Sequence, residues 1–135
     1  MLAAARTMLL RTVRTIDSRK FVGTVGTSEL EELIETEEAL VIDVRSEGEV
    51  AASGPLSLDA LTIPLDEVLN GALLMDSEDF KETYGAPRPA LGDKIVFTCA
   101  AGVRSGHAAG AMEAAGFTNT HNYLGGAHEW FSTPR

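Results

Sequence analysis

The chain has 135 residues, enough for one domain with a sizeable core, and no apolar run approaches the ~20 residues that span a bilayer. Its net charge is −9, and the first 20 residues hold five of the 11 basic residues but only one acid, Asp17. Residues 21–135 therefore carry six basic and 19 acidic residues, a net charge of −13. Such a surface repels nucleic acid and anionic membranes, and we expect neither as a partner.

Residues 1–20 are predicted to be a leader that lies outside the fold. The segment is apolar, it carries Arg6, Arg11 and Arg14, and its first acid is Asp17. This composition is typical of a mitochondrial transit peptide. The alternatives are an ordinary flexible extension or a start codon assigned too early, with Met8 as the second candidate. We expect a location in the mitochondrial matrix if the leader is a transit peptide, and in the cytoplasm otherwise.

The folded domain is predicted to occupy residues 21–135 and to alternate strands with helices. Ser28-x-x-Glu31 has the spacing of a capping box at the start of the first helix. The predicted strands are residues 21–25, 39–44, 61–63, 95–97 and 118–123. The predicted helices are residues 29–35, capped by Thr27 or Ser28, then 47–52, 65–74, 76–84, 106–115 and a final short helix that bears Trp130. This alternation predicts an α/β fold with a central parallel sheet and helices on both faces. Trp130 is expected to pack over the sheet.

The run at residues 39–44 is almost continuously apolar, which is typical of a central strand covered on both faces. Asp43 and Arg45 lie at its end. We expect them to have structural roles, with Asp43 capping or orienting a neighbouring loop and Arg45 pairing with a carboxylate such as Glu47 or Glu49.

Cys99, the single cysteine of the chain, stands where a buried strand ends and a loop of small residues begins. Ligands of parallel sheets bind beyond the carboxyl ends of the strands. A short loop that leads into a helix directs several backbone N–H groups toward its own centre, and the helix dipole adds positive charge there. In such settings a thiol pKa can fall from about 8.5 to roughly 3.5–7.5. Arg104 adds a fixed positive charge nearby. Cys99 is therefore a candidate nucleophile, although a lone cysteine can also be an inert core residue.

Other chemistries lack the required spacings. His107, His121 and His128 form no HxxxH pattern and there is no CxxC pair, so no metal site is predicted. No nucleotide-binding glycine loop occurs, and no organic cofactor is expected. A Cys–His hydrolase would need a histidine base, and no sequence feature places His107 in that role. Because no second cysteine is present, sulfur carried by Cys99 would have to pass to an external acceptor.

Four segments in order resemble rhodanese-like sulfurtransferases. Cys99-Ala-Ala-Gly-Val-Arg104-Ser105 resembles the family's active-site loop, Cys-x-x-Gly-x-Arg followed by Ser or Thr. The other segments are the strand Val41-Ile-Asp-Val-Arg45, the segment Thr62-Ile-Pro64, and Asn122-Tyr-Leu-Gly-Gly126 with Trp130 beyond it. The resemblance extends from about Thr27 to the end of the chain and is closest to small single-domain thiosulfate–glutathione sulfurtransferases.

The resemblance implies a rhodanese-like domain that moves sulfane sulfur through a Cys99 persulfide. The donor would be thiosulfate or a small persulfide, and the acceptor a thiol such as glutathione. Cys99 and Arg104 would be catalytic, Asp43 and Arg45 would support the site, and the substrate would contact Ala100, Ala101, Gly102, Val103 and Ser105. Backbone N–H groups of residues 100–104 would stabilise the sulfur anion. We expect a monomer that needs no cofactor.

One segment departs from the family pattern. Rhodanese-like domains commonly carry Gly-His-Ile-Pro-Gly-Ala after the second strand, whereas this chain has Ser53-Gly-Pro-Leu-Ser-Leu-Asp-Ala60. The shape of this loop is therefore not predicted.

Two other functions stay open. Cysteine phosphatases and arsenate reductases on the same fold have Cys-x5-Arg, one residue longer than Cys99 to Arg104 here. The shorter loop makes a smaller cradle, which favours a persulfide over a phosphate. A non-enzymatic protein-binding module is the other alternative, and the retained Cys99, Gly102, Arg104 and Ser105 argue against it.

Overall fold

A computed structural model describes residues 22–134, in which five strands form one parallel sheet. The strands are β1 (Gly23–Val25), β2 (Leu40–Asp43), β3 (Leu61–Thr62), β4 (Ile95–Thr98) and β5 (Thr120–Tyr123). The helices are α1 (Thr27–Glu35), α2 (Glu47–Ser53), α3 (Leu65–Leu69), α4 (Ser77–Tyr84), α5 (Val103–Ala114) and α6 (Gly126–Ser132), with a 3-10 turn at Ala72–Leu74. The strand order is β1-β5-β4-β2-β3, and every neighbouring pair is parallel.

The core has two layers because successive side chains of a strand point to opposite faces of the sheet. Ile42 and Phe97 pack on one face, beneath α3, α4, α5 and the 3-10 turn. Val41 and Val96 pack on the other face, with α1 and α6. Trp130 of α6 belongs to this second layer and is 7% exposed. The predicted parallel sheet with helices on both faces is confirmed.

Several predicted boundaries differ from the structure, and three of the differences change how an element begins or ends. The helix predicted over residues 65–74 ends at Leu69, because Gly71 adopts a left-handed conformation (φ +98°) that separates it from the 3-10 turn. The helix predicted from residue 106 begins at Val103. The last strand begins at Thr120 rather than at residue 118. The predicted leader and Phe21 lie outside the described residues.

Arg45 forms a buried ion pair with Asp43. Its Nε and Nη2 donate to the two carboxylate oxygens at 3.0 and 2.7 Å, and the residues are 3% and 1% exposed. Arg45 therefore pairs with a carboxylate as expected, but the partners suggested from the sequence, Glu47 and Glu49, are wrong. Asp43, the last residue of β2, lies two residues before Arg45 in the chain and forms the ion pair instead.

The same guanidinium fixes the loop that departs from the family pattern. Arg45 Nη1 donates to Ser53 Oγ at 2.8 Å, and Nη2 donates to the Gly54 carbonyl at 3.3 Å. The buried Arg45 side chain thus links the end of α2 to the end of β2.

Candidate active site

Cys99 lies at the carboxyl end of β4, the middle strand of the sheet, and is 2% exposed. On one side of β4, the chain passes through α5 to β5. On the other side, β2 leads through α2 to β3, in the opposite direction. The boundary between β2 and β4 is therefore a topological switch point, where the loops diverge and leave a crevice. Cys99 and the start of α2 lie at this crevice.

The loop after Cys99 curls around the sulfur. The Gly102 N–H donates to Sγ at 3.2 Å and the Ser105 N–H donates at 3.4 Å. The Ser105 hydroxyl lies 3.3 Å from Sγ, where either atom can donate. The expected donors were the N–H groups of residues 100–104. Gly102 belongs to that range, and Ser105, in the first turn of α5, lies one residue beyond it.

The thiol is acidified by this arrangement. Burial by itself would raise the pKa of Cys99. Hydrogen bonds with the hydroxyl of Ser105 and from the backbone N–H groups of Ser105, Ala101 and Gly102 outweigh burial, so the pKa of the thiol lies below its ordinary value. The site therefore favours a thiolate, the form in which sulfur is nucleophilic.

The side chain of Asn122 in β5 fixes the loop that follows Cys99. This residue was not among those that the sequence indicated for the site. The Ser105 hydroxyl donates to Asn122 Oδ1 at 2.6 Å, and Asn122 Nδ2 donates to the Gly102 carbonyl at 3.0 Å. Asn122 is 6% exposed, and its amide is hydrogen-bonded to the two residues whose N–H groups face the sulfur. One feature of the sequence could have indicated Asn122. An amide side chain on a buried strand needs hydrogen-bond partners inside the protein.

The start of α6 supports the other side of the loop. The Ala127 N–H donates to the Cys99 carbonyl at 2.7 Å and the His128 N–H donates to the Ala100 carbonyl at 3.1 Å. These are first-turn N–H groups, which have no partner within their own helix. A side chain at Gly126 would collide with both carbonyls, and Gly126 has a φ of +64°. The Gly-Gly turn thus allows α6 to approach the loop and cap it.

Arg104 projects from the first turn of α5 and forms a two-pronged ion pair with Glu49 of α2. Nη1 donates to Oε1 at 2.8 Å and Nη2 donates to Oε2 at 2.9 Å. The two side chains are 37% and 40% exposed, so the pair lies at the surface of the crevice. Glu49 is a second residue that the sequence analysis did not assign to the site.

The remaining loop residues give the site an apolar rim. Val103 is 66% exposed and Leu124, on the adjoining strand end, is 57% exposed. Ala100 is partly buried and Ala101 is exposed. The side chains of residues 100–103 carry no charge, so Arg104 is the one charged side chain that the loop provides.

A cleft of about 580 Å³ lies beside the loop rather than over the sulfur. Gly102, Val103 and Asn122 form the wall nearest the loop, and His107 lies farther along α5. Within residues 22–134, no three His, Cys, Asp or Glu side chains are grouped as metal ligands. No helix in this part of the chain is long and apolar enough to cross a membrane.

Two named proteins are similar to this chain in sequence. A mouse protein named thiosulfate sulfurtransferase/rhodanese-like domain-containing protein 3 is 40% identical over 102 residues, which are 76% of this chain and 64% of that protein. The human thiosulfate:glutathione sulfurtransferase is 39% identical over 108 residues, 79% of this chain and 91% of the human protein. The chain thus spans somewhat less than two thirds of the mouse relative and nearly all of the human one.

Solved structures show the same fold. A human single-domain sulfurtransferase superimposes with a TM-score of 0.77 at 36% identity, over 84% of this chain and 99% of that one. A Saccharomyces cerevisiae single-domain sulfurtransferase gives a TM-score of 0.72 at 26% identity, over 82% of this chain and 89% of that one. Residues 26–133, which include every described helix and all strands except β1, match the rhodanese-like domain family. Cys99 follows the middle strand of a parallel sheet and accepts hydrogen bonds from its own loop, and residues 26–133 match the family model. This chain therefore belongs to the rhodanese-like domain family.

Proposed function

We propose that this protein is a sulfurtransferase that carries sulfane sulfur on Cys99. The observation that carries the proposal is the pair of backbone N–H groups, from Gly102 and Ser105, that point at Sγ from 3.2 and 3.4 Å. Fixed donors of this kind stabilise a sulfur anion without having to reorient during the reaction. They would serve the Cys99 thiolate and, after sulfur transfer, the persulfide.

The first half-reaction would load sulfur onto the enzyme. The Cys99 thiolate attacks the outer sulfur of thiosulfate, a sulfur–sulfur bond forms, and the bond to the sulfonate sulfur breaks. Sulfite leaves with the bonding electron pair, and the enzyme holds a Cys99 persulfide anion. Arg104 is placed to orient the anionic end of the donor. Charge balances, because a thiolate and a dianion give a persulfide anion and a dianion.

The second half-reaction would return the enzyme to its thiolate. An external thiolate attacks the outer sulfur of the persulfide and leaves as a new persulfide. The chain has a single cysteine, so no internal thiol competes for this sulfur. The kinetics would be ping-pong, as expected for a covalent intermediate.

The names of the relatives suggest the substrates. Thiosulfate and glutathione appear in the name of the human relative, and we propose both for this chain. Glutathione persulfide is a second donor candidate, because the loop offers no basic residue besides Arg104. A Schizosaccharomyces pombe relative, 31% identical over 91 residues, is named as a mitochondrial thiosulfate sulfurtransferase, which supports our proposal that residues 1–20 are a leader to the matrix. We further propose one domain over residues 21–135, acting as a monomer.

The direct test is the mass of the intact protein after incubation with excess thiosulfate and removal of the donor. We expect wild-type protein to gain one sulfur, about 32 Da by the persulfide chemistry of cysteine. Cys99→Ser is the matched control and should gain nothing. A gain with glutathione persulfide alone would keep the mechanism and change the donor.

Failure to gain sulfur from either donor would overturn the proposal. Two readings would then remain, and each has its own assay. Hydrolysis of an aryl phosphate that requires Cys99 would indicate a phosphatase. A Cys99→Ser protein with full biological effect would indicate a binding module.

A further inference from the structure

Glu49 occupies the guanidinium of Arg104, the one charged side chain of the loop. Both guanidinium nitrogens Nη1 and Nη2 of Arg104 are committed to the Glu49 carboxylate, at 2.8 and 2.9 Å. The residues are 55 positions apart and come from the two sides of the switch-point crevice. A donor anion that approaches Arg104 therefore meets an arginine whose charge is already compensated.

Helix electrostatics explain why Arg104 needs a partner. Arg104 lies in the first turn of α5, which contains no acidic residue. The positive end of the helix dipole disfavours a cation there. Glu49 supplies the missing negative charge from outside the helix, and so stabilises Arg104 at the mouth of the cradle.

Glu49 is itself held in place. Its Oε1 accepts hydrogen bonds from the Ser46 N–H and the Ser46 hydroxyl, both at 3.1 Å. The Ser46 hydroxyl accepts in return from the Glu49 N–H at 3.2 Å, which completes a capping box at the start of α2. The hydrogen bond from Arg104, with those from Ser46, lowers the pKa of Glu49 to about 2. The carboxylate is therefore charged over the whole pH range in which a thiol reacts.

We propose that Glu49 is a specificity-determining residue that screens Arg104 and biases the enzyme against donors with a sulfonate bonded to the reacting sulfur, in favour of persulfides. This inference rests on the proposed function. With Cys99 as a thiolate and Glu49 ionised, the mouth holds two negative charges against one arginine. Thiosulfate adds a dianion whose sulfonate lies next to the reacting sulfur. In glutathione persulfide, no sulfonate adjoins the reacting sulfur, so its transfer depends less on a free guanidinium.

The test variant is Glu49→Gln, which removes the charge and keeps the size. Glutamine is accepted in capping boxes, so α2 retains its start. The matched control is Glu47→Gln, which removes one charge from the first turn of the same helix at an exposed position. We expect Glu49→Gln to lower the KM for thiosulfate roughly three- to ten-fold, in the range of an exposed ion pair, with a smaller change for glutathione persulfide. Glu47→Gln should leave both KM values near those of wild type.

A second measurement separates this inference from the proposed function. Inorganic sulfate is a dianion that cannot donate sulfur, and its binding is read from the slowing of Cys99 alkylation by iodoacetamide. Glu49→Gln should bind sulfate roughly three- to ten-fold more tightly than wild type, and Glu49→Gln/Arg104→Ala should lose that gain. The inference is overturned if Glu49→Gln binds sulfate no better than wild type, or if its KM for thiosulfate rises. A wild-type protein that binds sulfate but takes up no sulfur from any donor would refute the proposed function alone.

Discussion

The Ser105 hydroxyl donates to Asn122 Oδ1 across 2.6 Å, and this contact joins the first turn of α5 to the end of β5. Asn122 completes the link by donating to the Gly102 carbonyl at 3.0 Å. Gly102 and Ser105 are the residues whose N–H groups face the sulfur. The position of both amides thus depends on one buried side chain, that of Asn122.

Replacing Asn122 by alanine should weaken sulfur transfer more than folding. The loop loses both tethers, so its amides are misplaced and kcat/KM should fall about 10- to 100-fold. The free energy of unfolding should drop by about 1–3 kcal/mol, because the Ser105 hydroxyl and the Gly102 carbonyl lose a buried partner. Asn119→Ala is the control on the same segment, since Asn119 contacts His121 instead. Equal activity in both variants would show that Asn122 has no positioning role.

The pH dependence of Cys99 reactivity should depend on Ser105. The single hydroxyl proton of Ser105 points to Asn122 Oδ1 in the structure, and we expect it to turn to Sγ, 3.3 Å from the hydroxyl oxygen, when the thiol ionises. The hydroxyl and the N–H of Ser105 then both help to lower the thiol pKa, and Ser105→Ala removes the hydroxyl alone. The pKa should therefore rise, and less thiolate should be present at pH 7. Iodoacetamide alkylation, followed from pH 5 to pH 10, reports this as a shift of the midpoint to higher pH.

Thr120→Val provides the comparison for Ser105→Ala. Thr120 is also buried between α5 and β5, but its hydroxyl donates to the Ala109 carbonyl, away from the sulfur. The midpoint of alkylation should not move in Thr120→Val. A midpoint that stays fixed or falls in Ser105→Ala would contradict our assignment of the hydroxyl as a donor to the thiolate.

Gly102→Ala should abolish activity and destabilise the fold. Gly102 has a φ of +84°, and a side chain there would overlap the Leu124 carbonyl. Gly85→Ala is a close match, because Gly85 has a φ of +74° but open space around the position. The left-handed conformation should cost about 1–2 kcal/mol in either variant, and only Gly102→Ala should lose more. Urea unfolding and sulfur loading measure the two effects; equal stability losses would contradict the predicted collision.

The Arg45–Asp43 pair should matter for stability. Arg45→Met leaves the Asp43 carboxylate buried without its partner and should cost about 3–5 kcal/mol in unfolding free energy. The double variant Asp43→Asn/Arg45→Met removes both charges and should recover a large part of that loss. Urea unfolding of the three proteins tests this. Both variants lack the Arg45 contacts to Ser53 and Gly54, so their difference reports on the Asp43 charge alone. A double variant no more stable than Arg45→Met would contradict the assignment of the loss to the unpaired carboxylate.

The strand, the loop and the helix around Cys99 are readable from the sequence because they are contiguous. The apolar run at Ile95–Thr98 requires a buried strand, the small residues allow a tight loop, and the alanine-rich stretch that follows forms a helix. The alternation of strands and helices along the chain similarly predicts the parallel sheet. These features depend on local propensity and periodicity, which are properties of neighbouring residues.

Contacts between distant segments were decided by the tertiary structure. Asn122 lies 17 residues beyond Ser105, and Glu49 lies 55 residues before Arg104, so no periodicity links either pair. The expected partners of Arg45 show the same limit, since Asp43, Glu47 and Glu49 all lie within reach along the sequence. Only the strand order, which sets β4 between β2 and β5, brings Glu49 and Asn122 to opposite sides of the Cys99 loop. The sequence by itself determined the candidate nucleophile and the loop that follows it; the packing of the sheet determined which side chains hold that loop and which one pairs with its arginine.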